Sequence, residues 1–221
     1  MKRSTLLAAL LLGALLSSFM ATLRTAQTVH AQPANQLVYV GDSLTEGFGA
    51  TTQAQAYAYL TGALTGQSVN VQAQYGVTAV FTASEMAGET GPVVPTSSAR
   101  VIIELGTNDV QAILDGTETL ADFAAAYRQI LSLVHHSALK AQIICIGPWQ
   151  DGSNQWGDAA WITNFIAAYC PGKSMPLDDL YANASYHGPA GRSTWLGTAD
   201  YFHPNDAGHA AIAQRLVALI A

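Results

Sequence analysis

Short apolar runs and amphipathic stretches alternate along most of the chain. The runs Gln36 to Val40, Ser68 to Ala73, Val101 to Leu105 and Gln142 to Ile146, with a weaker one at Ser174 to Leu177, have the length and β-branched content of strands. Apolar runs of this kind suit a parallel sheet that is covered on both faces. Between the third and fourth runs Leu120, Phe123, Ala124, Tyr127, Ile130, Leu131 and Val134 recur at helical spacing. Thr119 and Asp122 form a capping box at the start of that helix. A last helix is expected over 206–220, after Pro204 and with Asn205 as its cap. No internal repeat, low-complexity tract or interdomain linker interrupts the alternation. The pattern predicts a single doubly wound α/β domain, in which ligands sit beyond the carboxyl ends of the strands.

One apolar run does not belong to this pattern. The chain opens Met1-Lys2-Arg3, continues almost uncharged from Leu6 to Ala21, and reaches Val29-His30-Ala31 with small residues at the −3 and −1 positions of a signal-peptidase site. Residues 1–31 therefore read as a secretory leader and 32–221 as the domain, the alternative being an uncleaved membrane anchor. No later stretch is long enough to cross a bilayer as an apolar helix. Without Lys2, Arg3 and Arg24 the domain keeps six basic residues against fifteen acidic ones, a formal net of −9. Such a surface repels nucleic acid and anionic membrane, and no basic patch offsets it. After export Cys145 and Cys170 would meet an oxidising compartment and could pair. Cys145 also sits in the strand-like run "AQIICIG", where lone buried cysteines are common, so their pairing stays open.

Polar clusters stand at the expected strand ends. Ser43 follows the first run in "VYVGDSLTEGFGA"; Gly76 follows the second; Gly106-Thr107-Asn108-Asp109 follows the third; and Asp200-Tyr201-Phe202-His203-Pro204 precedes the last helix. Acyl transfer through serine needs a base for the hydroxyl proton, a group to orient that base, and donors aimed at the developing oxyanion. His203 can be the base, since Pro204 keeps it off the helix, and Asp200 three residues earlier can hold its second ring nitrogen. The backbone N–H groups of Ser43 and Gly76 and the side-chain amide of Asn108 can serve as the donors. Taken singly, each cluster has a plainer reading: Gly-Asp-Ser as a turn and cap, Gly-Thr-Asn-Asp as a turn, and Asp-x-x-His-Pro as a cap or half of a metal site with Asp206 and His209. Thr45 stands where the Gly-x-Ser-x-Gly elbow of α/β-hydrolases has its second glycine, so the turn is of another kind.

Together and in this order, "GDSL" at Gly41 to Leu44, Gly76, "GTND" at Gly106 to Asp109 and "DYFHPN" at Asp200 to Asn205 resemble the ordered blocks of the SGNH hydrolases, also called GDSL esterases and lipases. The resemblance covers nearly all of 32–221. It implies a flavodoxin-like, three-layer domain with a five-stranded parallel sheet, a nucleophile at Ser43, a base at His203 helped by Asp200, and oxyanion donors at Ser43, Gly76 and Asn108. The family often carries another glycine three residues after the second block's first, and here that position is Ala79.

The expected protein is a secreted carboxylic-ester hydrolase that works through an acyl-serine intermediate and uses no cofactor or metal. Its substrates would be short-acyl, lipid or O-acetylated carbohydrate esters. The alternative is a catalytically silent carbohydrate- or lipid-binding module on the same fold. Asp109 and Asp42 are expected to brace their loops, and His135-His136 to sit against a helix C-terminus. His187, in the loop before Asp200, has no partner that the sequence names. Trp149, Trp156, Trp161 and Trp195 could line a substrate groove or simply pack loops down.

Overall fold

The computed structural model describes residues 35–150 and 157–221; the expected leader and Trp156 lie outside them. Five strands, β1 (Gln36–Gly41), β2 (Ser68–Ala73), β3 (Arg100–Glu104), β4 (Gln142–Ile146) and β5 (Lys173–Met175), form one sheet in the order β2-β1-β3-β4-β5. All neighbours run parallel, with β1 central enough to pair Gly41 to both Ala73 and Glu104. The helices are α1 (Ser43–Glu46), α2 (Tyr57–Thr65), α3 (Ala79–Ala87), α4 (Thr107–Leu114), α5 (Leu120–Ser137), α6 (Gly157–Tyr169), α7 (Asp178–Tyr181) and α8 (Asp206–Ile220). This is the expected doubly wound, flavodoxin-like α/β fold.

Strand alternation divides the core into two layers. Val38, Val40, Val101, Ile103, Ile143 and Cys145 pack under α3, α5 and α6, whereas Leu37, Tyr39, Ile102, Ile144 and Ile146 pack under α2 and α8. The predicted capping box at Thr119 and Asp122 forms, and Asn205 caps α8 by accepting from the N–H groups of Ala207 and Gly208. The fifth strand ends earlier than its apolar run, because Pro176 has no N–H to continue the ladder. Cys145 on β4 and Cys170 just past α6 form a disulfide, their Cα atoms 6.0 Å apart. It ties the last turn of α6 to the sheet across 25 residues.

Candidate active site

The turn after β1 is built around lost space. A Cβ on Gly41 would collide with the side chain of Thr45 and lie 2.8 Å from the carbonyl oxygen of Glu104, so the chain can enter α1 there only as glycine. Asp42 caps that single helical turn, its Oδ1 accepting from the Leu44 N–H at 2.9 Å. Ser43 is thereby presented at the strand's carboxyl end, 3% exposed.

The other end of the chain meets it there. Ser43 Oγ lies 2.9 Å from His203 Nε2, and His203 Nδ1 lies 2.7 Å from Asp200 Oδ2. Asp200 Oδ1 also accepts from the backbone N–H groups of Phe202 (2.9 Å) and His203 (2.7 Å), which closes the turn on itself. With Nδ1–H donated to a carboxylate, Nε2 carries the lone pair that faces the serine hydroxyl. Burial lowers the His203 pKa below its ordinary value, against the opposing pull of Asp200, so the ring is neutral at pH 7. Burial works to raise Asp200, but the hydrogen bonds from the His203 backbone and ring outweigh it and hold the carboxyl below its usual range.

The expected oxyanion donors are arranged differently. Asn108, in the first turn of α4, borders the same cleft of about 290 Å³ as Ser43 and His203. Its Nδ2 donates to Asp42 Oδ2 at 3.1 Å and to the Val77 carbonyl at 2.9 Å, so each amide hydrogen already has a protein acceptor. Gly76 takes φ +75°, a left-handed turn after β2, and lines the adjoining cleft rather than the one that holds Ser43. Tyr75 borders both clefts and stands between them. Among the described residues no protein acceptor is hydrogen-bonded to the N–H of Ser43 or of Gly76.

Asp109 does not reach His203. Its two carboxyl oxygens accept from the Ala79 N–H at 2.9 and 3.0 Å, which anchors the start of α3. Burial pushes its pKa up to about 8. Ala79 is the first residue of α3, behind the Thr78 cap, so an ordinary L-residue fits where the family often has glycine. Beneath the nucleophile, the fully buried Glu104 accepts from Thr45 Oγ1 at 2.9 Å, and Thr45 Oγ1 lies 2.6 Å from the Tyr57 hydroxyl. Burial and then the neighbouring Glu104 raise the Asp42 pKa.

Several neighbours of the site escaped the sequence reading. The rings of Phe48 and Phe202 flank His203 at 4.4 and 5.2 Å between centroids, and the 58% exposed Tyr75 lies at 6.0 Å. Apolar residues beside a glycine in a turn carry no signal of which ring they will face. Gln111 and Gln150 complete the polar lining of the cleft. Trp149, Trp161 and Trp195 do not line it: Trp149 is fully buried, Trp161 stacks on Phe165 along α6, and Trp195 Nε1 donates to the Gly47 carbonyl at 3.1 Å. His209 is held by the Tyr57 N–H (3.3 Å) and the Phe48 carbonyl (3.0 Å), its pKa lowered to about 4 by burial, and Asp206 accepts from Thr51.

A family model described as GDSL-like lipase/acylhydrolase matches residues 39–211. No curated protein sequence matches the chain. Among solved structures, a two-domain esterase active on acetylated mannans is 19% identical with a TM-score of 0.60, over 84% of this chain and 48% of that one. A family two carbohydrate esterase from Clostridium thermocellum, in complex with cellohexaose, is 19% identical with a TM-score of 0.57, over 84% and 63%. A possible lipase from Chitinophaga pinensis DSM 2588 is 17% identical with a TM-score of 0.59, over 84% and 97%. At these identities the likeness is one of fold, and the chain spans about half the length of the mannan esterase.

Proposed function

The chain belongs to the GDSL-like lipase/acylhydrolase family, and we propose that it hydrolyses carboxylic esters through an acyl intermediate on Ser43. The observation that carries this reading is the continuous relay from Ser43 Oγ to His203 to Asp200, drawn from two distant parts of the chain. Ser43 Oγ attacks the ester carbonyl carbon while His203 Nε2 takes its proton, and Asp200 stabilises the imidazolium. Collapse of the tetrahedral intermediate breaks the bond to the alcohol, which leaves with the proton from His203. A water molecule then repeats the sequence on the acyl-serine and releases the acid. The N–H of Ser43 and the amide of Asn108, which border the cleft, and the N–H of Gly76 across Tyr75 are the donors assigned to the oxyanion. A catalytically silent module has no use for a neutral, serine-facing imidazole.

The preferred substrates are short-acyl esters of polar alcohols, O-acetylated carbohydrate foremost. Thr107, Asn108, Gln111, Gln150 and Asp200 offer donors and acceptors to hydroxyl groups, and Tyr75 offers an exposed ring face. Neighbours of the same fold that act on acetylated mannans or bind cellohexaose point the same way. A lipid-ester reading draws on one feature, the apolar Val77, Val80 and Phe81 of the adjoining cleft, which suit a longer acyl chain. Residues 1–31 serve as a secretory leader in this reading, and the disulfide suits the oxidising compartment beyond the membrane.

The test joins labelling to a substrate panel. An organophosphonate ester is expected to label Ser43 alone, as read by peptide mapping. Esters from acetyl to long acyl, with acetylated polysaccharide among them, are expected to favour acetyl on sugar. An adduct on another serine would overturn the mechanism, and preference for long acyl chains would move the substrate class to lipids.

A further inference from the structure

We propose that Trp149 is a positioning residue that sets the distance between His203 and Ser43. The inference rests on the reading of Ser43 and His203 given above. The turn that carries His203 is closed internally by three hydrogen bonds to Asp200, so it moves as one piece. What places that piece over the sheet is a different matter: Asn205 ties its far end to the Tyr186 and His187 carbonyls, and Trp149 makes the connection beside the base. It stands three residues beyond the end of β4 and is fully buried. Its indole Nε1–H donates to the Phe202 carbonyl at 2.8 Å, directly before His203. Its backbone N–H donates to Thr107 Oγ1 at 3.0 Å, directly before Asn108. One residue therefore joins the base's turn to the loop that carries the amide.

The indole has little freedom to do otherwise. Tyr181 packs edge-on against it at 5.5 Å, and His187 lies at 5.2 Å, with His187 Nδ1 2.9 Å from the same Phe202 carbonyl. The acceptor oxygen thus takes the indole N–H and also faces a ring nitrogen of His187. His187 is itself held at its other ring nitrogen, 2.6 Å from the Tyr181 carbonyl. Proton transfer from Ser43 depends on a 2.9 Å contact, and misplacement of a reacting group by about 1 Å costs on the order of a hundredfold. A ring that fills the same space without the N–H keeps the packing and frees the turn to shift.

Trp149→Phe removes that donor, and Thr107→Val removes the second anchor at nearly constant volume. Steady-state kinetics on a small aryl acetate, across pH and beside thermal melting, reads both. Both variants are expected to lose kcat, Trp149→Phe by about tenfold, with KM within about twofold. The acid limb of the Trp149→Phe profile stays in place, because His203 keeps Asp200 and only the position of the pair changes. Wild-type kcat in folded variants would overturn the proposal. So would a loss that merely tracks the unfolded fraction, or a limb that moves with the plateau, since the turn would then be deformed rather than displaced. If Trp149→Phe does not fold, Thr107→Val decides. Ser43→Ala is measured beside them: activity there would sink the underlying site, whereas an inactive Ser43→Ala with a wild-type Trp149→Phe sinks the positioning role alone.

Discussion

The two sides of the candidate site stand in different states of readiness. On the base side every contact of the relay is in place, with 2.9 Å from serine to imidazole and 2.7 Å from imidazole to carboxylate. On the oxyanion side the Asn108 amide is fully engaged by Asp42 and Val77, and Gly76 faces the neighbouring cleft. The difference is the one the proposed mechanism leads us to expect. A proton acceptor has its partner at all times, since the serine hydroxyl is part of the protein. The oxyanion exists only during reaction, and a half-buried amide without an acceptor costs about 1–3 kcal/mol. In its absence the protein supplies substitutes: a carboxylate and a backbone carbonyl. Release of the Val77 carbonyl is then the local change that would free one amide hydrogen for substrate.

The largest expected effect lies on the ready side. Ser43→Ala and His203→Ala should each lower kcat by about 10⁶-fold, and the double variant should be little worse than either, because the two act as one unit. Substantial activity in either, measured by burst-free steady-state assays, would break the comparison at its root. Asp200→Asn should cost less, about 10⁴-fold, since an unassisted imidazole still accepts a proton. It should also move the acid limb of kcat/KM. The limb of the native enzyme is expected below the ordinary imidazole value of about 6.5, because His203 must be neutral and burial lowers its pKa. Asp200 opposes that lowering, so its loss shifts the limb further toward acid. A limb that stays in place in Asp200→Asn would mean that Asp200 is a turn residue only.

Asn108→Ala probes the other side. Loss of one oxyanion donor should reduce kcat by about 10²- to 10³-fold while KM changes less. Unchanged kcat would mean that the amide remains with Val77 throughout and that the oxyanion is held by backbone alone. The smallest effect on turnover is expected from Asp109→Asn, whose side chain is hydrogen-bonded to the start of α3 rather than to His203. Its signature is in stability. A carboxyl raised to about 8 in the folded state binds more protons folded than unfolded, so stability falls as pH rises from its unfolded value toward 8. Asp109→Asn should flatten that decline in thermal melts between pH 4 and 9. An unaltered slope would assign the decline to Asp42 and Glu104.

Much of this arrangement was legible along the chain, and the parts that were not share a cause. The runs at Gln36, Ser68 and Gln142, the capping box at Thr119 and the helix from Asp206 to Ile220 stand where periodicity and capping placed them. Each of these signals is contained within a few residues. The role of the tryptophans stayed open because residue type alone does not say which layer a ring enters: Trp149 reads as a loop residue next to Pro148, and it is fully buried. The disulfide stayed open because 25 residues separate its cysteines and only the packing of α6 on β4 brings them together.

The sequence by itself determined the alternation of strand and helix, the small residues at the turn after β1, and the identity of the groups at each strand end. These depend on backbone conformation and local hydrogen bonding, which neighbours in the chain decide. Only the tertiary structure decided that the Asn108 amide rests on Asp42 and Val77, that Gly76 lies across Tyr75 from the serine, and that Phe48 and Trp149 pack against the base's turn. Those contacts join residues between 31 and 155 positions apart, from Val77 and Asn108 to Phe48 and His203, and are set by the order of strands in the sheet, through which the core is shared.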